Sequence, residues 1–247
     1  AAHPLPPSPL IAKGDPGQPG GRFVIGASAS PRTFNPLFAF DSASDGIVRL
    51  LFAPLVMLDS ATQQPGPGLA ESWPAATHQK TWTFKLPQGL HWSDGHPLTA
   101  EDVLFTWNDI MHNREFNQVT YDLFRIGGQS FAVTKVDDST VQVVTPEPFA
   151  PFLEFFGTVP ILPKHVLQTA VAAKVFPAAY GVSSKPGRIV GCGPYRLKEF
   201  HLGKATLLER NPEYWVAGRQ GRRLPWFDEV IFIVGGSAAS ESDLFLG

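Results

Sequence analysis

The sequence has a single cysteine, Cys192, among its 247 residues. One cysteine excludes an intrachain disulfide, and it also excludes a zinc site built on several thiolates. It stands between two glycines in the stretch "RIVGCGPYRLKEF", residues 188–200. From the residues alone, Cys192 could be a nucleophile, a metal ligand, a lipid anchor or a small side chain that lines a binding surface.

Charge of either sign is scarce, and long apolar runs are missing. The 20 Lys and Arg against 22 Asp and Glu give a net charge of −2, which makes no electrostatic case for nucleic acid or an anionic membrane surface. The best apolar candidate, residues 46–58, contains Arg49 and Pro54 and is shorter than the roughly 18 residues that a membrane-spanning helix needs. We therefore expect no nucleic-acid partner and no spanning segment.

Glycine and proline are plentiful by comparison. The 23 Gly and 24 Pro stand at element boundaries, which favours many short strands and turns over a helical bundle. The hydrophobic periodicity predicts an α+β fold without internal repeats. The predicted elements are a strand at 22–30, a short helix stopped by Pro54, a strand at 80–86, a helix capped by Thr99, a hairpin around 137–139, helices after 146–152 and within 160–168, and three C-terminal strands.

The first residues, "AAHPLPPSPLIAKGDPGQPG", have almost no periodicity and predict a flexible tether over residues 1–21. The composition is similar to that of a segment that follows a removed export signal or a lipid-anchor cysteine. An ordinary disordered terminus is an equal alternative.

Two groups of residues could carry catalytic or metal chemistry. His91 and His96 flank Asp94, but they straddle a turn and do not share a helix face, so a solvated turn is the better interpretation. A dyad of Cys192 with a histidine would need a partner that only the fold could bring within reach. We predict no metal site, no cofactor and no catalytic residue.

Several phrases together resemble one family, the extracellular solute-binding proteins of ABC transporters in the peptide and nickel group, family 5. The phrases run in the family's order over about residues 22–235. The combination of "WSDGHPLTAEDV" with the later "GCGPY" and "ERNPEYW" is highly specific. The phrases are "IGASASPRTFNPLFAFDSAS", "KTWTFKLPQGLHWSDGHPLTAEDVLFTW", "VDDSTVQVVTPEPFAPF", "GCGPYRLKEF" and "LLERNPEYW".

The resemblance implies a periplasmic-binding-protein-like clamp of two lobes (type II, cluster C), mixed α+β and α/β, of which this chain is the N-terminal part only. Residues 22–58 and 186–247 would form a discontinuous first lobe, domain I, and residues 59–185 an inserted subdomain, domain Ib. The second lobe would be absent from the chain. Because a clamp closes with both lobes, we expect weak or no ligand binding by this chain alone.

The resemblance also implies ligand-lining positions. The loop after "FNP" would pair with a peptide backbone, the region after the capped helix would supply an aromatic contact, and the "VGCGPY" turn would complete the wall. In that wall the side chain of Cys192 would face the cleft, and the flanking glycines would let the backbone approach the ligand. The implied ligand-binding residues are Phe40, Asp41, Ser42, Phe116, Tyr121, Val190, Cys192, Gly193 and Tyr214.

The function implied is that of a non-enzymatic, extracytoplasmic substrate-binding component of an ABC importer. It would capture an oligopeptide or dipeptide-like solute and deliver it to a membrane permease, as a periplasmic or lipid-anchored monomer. Relatives carry nickel complexes, sugars, opines and antibiotics, so the sequence leaves the ligand open. The alternative is a hydrolase-like enzyme that uses Cys192 or the His91–His96 turn, and a Cys192→Ser variant would separate the two.

Overall fold

The computed structural model of the chain describes residues 2–14, 17–59, 62–74, 78–116, 121–122 and 125–235. None of the helices in these ranges has both the length and the apolar character needed to cross a membrane. The helices are α1 (Ser42–Leu51), α2 (Ala100–Leu104), which continues as π-helical turns over Phe105–Met111, and α3 (Lys164–Ala172), with short π or 3-10 turns at Leu153–Gly157, Phe176–Ala178 and Pro186–Arg188. The strands are β1 (Leu10–Ile11), β2 (Arg22–Ala27), β3 (Val56–Leu58), β4 (Pro65–Pro67), β5 (Thr81–Lys85), β6 (Arg125–Ile126), β7 (Gln129–Ser130), β8 (Ala132–Asp137), β9 (Thr140–Val144), β10 (Tyr195–His201), β11 (Ala205–Arg210), β12 (Val216–Ala217) and β13 (Glu229–Val234).

The largest sheet described has four strands in the order β10-β11-β13-β2. Its β10, β11 and β13 are antiparallel neighbours, whereas β2 joins β13 in parallel, with Glu229 opposite Arg22. Helix α1 buries Ile47, Val48 and Leu51, which lie on one helical face. The helix stops before Pro54, as its sequence predicts.

A second sheet has three antiparallel strands in the order β5-β9-β8. The alternation in β5 is confirmed, because Trp82 and Phe84 are buried while Thr81, Thr83 and Lys85 are not. The hairpin predicted around residues 137–139 is the turn between β8 and β9. One continuous hydrophobic core extends across both sheets, so the division into domain I and domain Ib stays a prediction.

Thr99 caps the start of α2, as its sequence predicts, and the structure adds a capping box that the sequence analysis had not named. Thr99 is the N-cap, and the carboxylate of Asp102 accepts from the backbone N–H of Thr99 at 3.0 Å. The same carboxylate, only 4% exposed, accepts from Trp92 Nε1 at 3.2 Å and from the N–H of Lys164 at 2.9 Å. Burial raises the pKa of Asp102, although these donors oppose the rise. One buried carboxyl group therefore fixes the start of α2 against the start of α3.

The N-terminal segment lies against the body of the protein, so the prediction of a flexible tether is wrong for its described part. Strand β1 pairs in parallel with β12, with Leu10 opposite Val216. Further along, the N–H of Gly20 donates to the carbonyl of Trp226 at 2.9 Å. Two apolar residues suffice for β1 because backbone groups make the pairing, and such a short pair leaves no periodic signal in the sequence.

Candidate ligand-binding site

Four phenylalanine rings in consecutive contact form a cluster that we call the aromatic ledge: Phe40 and the partly exposed Phe38 at the surface, and Phe176 and Phe116 buried behind them. The ring centroids of Phe38 and Phe40 are 6.3 Å apart, those of Phe38 and Phe176 are 6.0 Å apart, and those of Phe116 and Phe176 are 5.4 Å apart. Phe40 is 78% exposed, whereas Phe116 and Phe176 are buried. The ledge thus brings together two predicted ligand residues, Phe40 and Phe116, that are far apart in the sequence.

The ledge is open and does not enclose a cavity. The pocket beside it has a volume of about 10 Å³, room for no more than a water molecule. Its lining is apolar apart from Asn113: Leu37, Phe38, Ile110, Met111, Phe116 and Phe176 complete it. A ligand on the ledge would therefore lie against one wall, with its other side left for a second surface to cover.

Asn35 holds the loop that carries Phe38 and Phe40. Its side chain is fully buried, and Nδ2 donates to the carbonyls of Phe176 (3.2 Å) and Ala179 (3.3 Å), while Oδ1 accepts from the N–H of Leu37 at 3.1 Å. Asparagine is suited to this position because its amide both donates and accepts. Sequence reasoning missed Asn35 and Phe176, and the only signal was the polar residue of "FNP" within an otherwise apolar phrase.

Asp41 and Ser42 lie at the start of α1, directly after Phe40. Asp41 is the N-cap in an extended conformation; its Oδ1 accepts from the N–H of Ser44 at 2.9 Å, and its Oδ2 accepts from the Ser44 hydroxyl at 2.7 Å. Burial raises the pKa of Asp41, but the hydrogen bonds from Ser44 outweigh it and hold the pKa below its ordinary value. The carboxylate is thus engaged in capping, while Ser42 is exposed at the rim of the ledge.

Tyr121 contacts Arg125: its hydroxyl accepts from Nη1 of that arginine at 3.1 Å, and the guanidinium lies 5.1 Å from the ring centre. These contacts place Tyr121 beside β6. Its role as a ligand contact stays a prediction.

The "GCGPY" turn packs against the last turn of α1, which corrects the expected role of its glycines. A Cβ on Gly191 would lie 2.0 Å from the carbonyl oxygen of Leu51, and one on Gly193 would lie 2.4 Å from that of Leu50. The N–H of Gly193 donates to the Leu51 carbonyl at 2.9 Å, which satisfies a carbonyl that the helix end leaves without a partner. The glycines allow close approach to α1, where the prediction had placed a ligand.

Cys192 is 1% exposed, so the prediction that its side chain faces the cleft is wrong. Its Sγ lies 3.9 Å from the carbonyl oxygen of Ala53, inside the core. Burial raises the pKa of the thiol to about 12. A thiol that stays protonated is a poor nucleophile, which argues against the cysteine-enzyme alternative.

Val190 is buried inside the fold, and Tyr214 is partly buried against the core. Val190 is 5% exposed, and its N–H and carbonyl both bond the hydroxyl of Tyr180, at 3.3 and 3.0 Å. Tyr214 packs its ring at 4.7 Å from that of Trp215, and burial raises its pKa. The role of Tyr214 as a ligand contact stays a prediction.

The His91–His96 turn does not bring its two imidazoles together. His91 stacks on His3 at 3.8 Å between ring centres, whereas His96 stacks on His165 at 3.9 Å. Asp94 Oδ2 lies 2.8 Å from Nε2 of His165. Because the two histidines have different partners, the geometry argues against an enzyme that uses the His91–His96 turn.

Comparison with known sequences decides the family. Residues 64–246 match the sequence model of the bacterial extracellular solute-binding proteins, family 5, middle region. The chain belongs to this family. The earlier resemblance, and the periplasmic-binding-protein-like fold that it implied, are confirmed.

Relatives of this family-5 chain are longer than it is. It is 28% identical to a probable ABC transporter-binding protein of Deinococcus radiodurans over 93% of this chain and 39% of that protein. It is 29% identical to a periplasmic alpha-galactoside-binding protein of Rhizobium meliloti over 72% of this chain and 27% of that one. The structure of the oligopeptide-binding protein AppA of Bacillus subtilis, in complex with a nonapeptide, superimposes with a TM-score of 0.73 at 27% identity, over 92% of this chain and 42% of that one. The chain thus spans about two-fifths or less of the relatives that it matches.

Proposed function

We propose that this chain supplies one wall of an extracytoplasmic substrate-binding protein of an ABC importer, and that the wall receives an oligopeptide or dipeptide-like solute. Family membership supports the binding role, and the observation that carries the proposal is the aromatic ledge with its exposed Phe40. A large exposed aromatic side chain in contact with further rings supports a binding role for this part of the surface.

The composition of the ledge favours a peptide over an oligosaccharide. All four of its rings are phenylalanine, which offers no hydroxyl or N–H donor, and Asn113 is the polar residue of the adjoining pocket. A sugar has many hydroxyl groups, and each one that loses water without a new partner lowers affinity. A peptide can cover the rings with an apolar side chain while its backbone bonds groups nearby.

The contribution of Phe40 to the binding free energy follows from the exposed fraction of its side chain. Covering a side chain that is 78% exposed contributes about 1–2 kcal/mol, or about tenfold in affinity. That amount is too small for tight binding, which agrees with the expectation that a second lobe must close over the ligand.

The same proposal includes delivery to a membrane permease, a periplasmic or lipid-anchored location, a monomeric state and no enzymatic activity. The buried, protonated thiol of Cys192 supports the last point, and the names of the relatives support the first two.

Saturation-transfer NMR tests the proposal because it detects weak binding. The probes are a pool of short peptides with apolar side chains and a galactoside oligosaccharide. We expect saturation of the peptides and not of the sugar, and a clear loss with Phe40→Ser. The matched control is Phe227→Ser, since Phe227 is 43% exposed and precedes β13 at the end of the sheet opposite the ledge loop. Equal peptide signals from both variants, or saturation of the sugar alone, would contradict the proposal.

A further inference from the structure

Three side chains from separate parts of the chain meet beside the N-terminal segment. His3 comes from that segment, His91 precedes the turn before α2, and Glu213 lies between β11 and β12. One potential ligand atom of each lies within 4.8 Å of those of the other two. His3 Nδ1 is 3.2 Å from Oε2 of Glu213, and its ring stacks on that of His91 with an angle of 5°.

The carboxylate of Glu213 has the environment of a cation ligand. Its side chain is 6% exposed, and it accepts from the backbone N–H of His3 at 3.2 Å. The nearby Arg223 directs its described hydrogen bonds elsewhere, to the carbonyls of Pro212 and His3. The ion-pair partner described for this buried carboxylate is the imidazole of His3, which carries charge only when protonated, so a bound cation would stabilise the carboxylate.

The surroundings leave room for the rest of a coordination shell. A cavity of about 410 Å³ is lined by two of the three residues, His3 and Glu213. Ser93, Asp94, Gly95 and Arg196 are among its other lining residues, and the Arg196 guanidinium is paired with Glu209 at 2.9 Å. Two imidazoles and one carboxylate with an open position are a donor set that zinc and related first-row ions accept.

We propose that His3, His91 and Glu213 bind a divalent transition-metal ion of the zinc class, and that the ion clamps the N-terminal segment to the body. A metal ion lies in the plane of each imidazole that binds it, so the parallel stack opens when the ion enters. His3 makes this movement, because its side chain is 45% exposed.

Calorimetry of the metal-stripped chain with Zn²⁺ is the first test. We expect one saturable site, weakened about tenfold or more by His3→Ala, by His91→Ala and by Glu213→Gln. The matched control is His201→Ala, an exposed histidine that lies 3.3 Å from a carboxylate oxygen of Glu199, and it should bind zinc like the wild type. Absence of saturable binding, or equal binding by His3→Ala and wild type, would overturn the site.

Limited proteolysis tests the clamp. Lys13 is exposed and is followed by Gly14, so trypsin can release the segment that carries His3 once it leaves the body. Zinc should slow this cleavage in the wild type and in His201→Ala, and should have no effect in His3→Ala. Should Glu213→Gln fail to fold, His3→Ala still decides, because the His3 side chain is 45% exposed and lies outside the core. Zinc binding without slower cleavage would overturn the clamp.

Discussion

Replacing Gly193 with alanine tests the claim that the "GCGPY" turn is a structural junction. The new Cβ would lie 2.4 Å from the Leu50 carbonyl oxygen and 2.7 Å from the Leu51 carbonyl carbon. Both are backbone atoms in the last turn of α1, so no side-chain rotation can relieve the contact. The turn and the helix must separate, which weakens the bond from the Gly193 N–H to the Leu51 carbonyl.

The cost follows from these two effects. Overpacking in a filled core costs about 1–3 kcal/mol, and a buried hydrogen bond that is lost adds about 1 kcal/mol. We expect Gly193→Ala to lower the free energy of unfolding by about 3 kcal/mol, which corresponds to a Tm about 6–12 °C lower for a chain of this size.

Urea denaturation and differential scanning calorimetry measure this loss. The control is Gly187→Ala, because a Cβ there meets no atom within 4 Å. That variant should change the unfolding free energy by less than about 1 kcal/mol. If Gly193→Ala were as stable as Gly187→Ala, the close approach to α1 would not hold and the turn would regain its predicted place at the ligand.

Three further predictions concern single side chains. The thiol of Cys192 should not react with Ellman's reagent in the native protein and should react fully in denaturant, because burial raises its pKa to about 12; rapid native reaction would refute its burial. Burial lowers the pKa of His112 from 6.5 to about 4. Between these two pH values the unfolded chain binds a proton that the folded chain does not, so the free energy of unfolding falls as the pH falls from 6.5 towards 4. Urea titrations at about pH 7 and about pH 5 measure this drop in unfolding free energy. The drop should be about 1–2 kcal/mol smaller in His112→Phe than in the wild type, and equal drops in the two proteins would contradict the prediction. Asp41→Ala should lower the unfolding free energy by about 1 kcal/mol through loss of the N-cap, while Asp41→Asn keeps most of it; equal losses would show that the charge, not the cap, matters.

Local patterns predicted most of the fold. Thr99 is a favourable N-cap residue before an apolar run, and the alternation in residues 80–86 is a strong strand signal, so the predicted helix start and the predicted strand are both confirmed. The pairing of β1 with β12 could not be predicted, because it depends on backbone groups of residues more than two hundred positions apart.

The candidate site was predictable only in part. The resemblance to the family pointed to Phe40, but the contacts of Phe38 with Phe40 and with Phe176 are tertiary and no spacing in the sequence reveals them. The error at Cys192 has the same origin. A glycine pair permits close approach, and the sequence does not say whether a ligand or a helix end makes that approach.

The central claim is that a ligand covers Phe40, and ¹⁹F NMR tests it most directly. Fluorophenylalanine is placed at position 40 in one sample and at position 227, as the control, in another. Addition of the peptide pool should shift the resonance at position 40 and shield it from a soluble paramagnetic agent, while position 227 stays unchanged. Peptide binding that leaves position 40 unshifted and accessible would contradict the account.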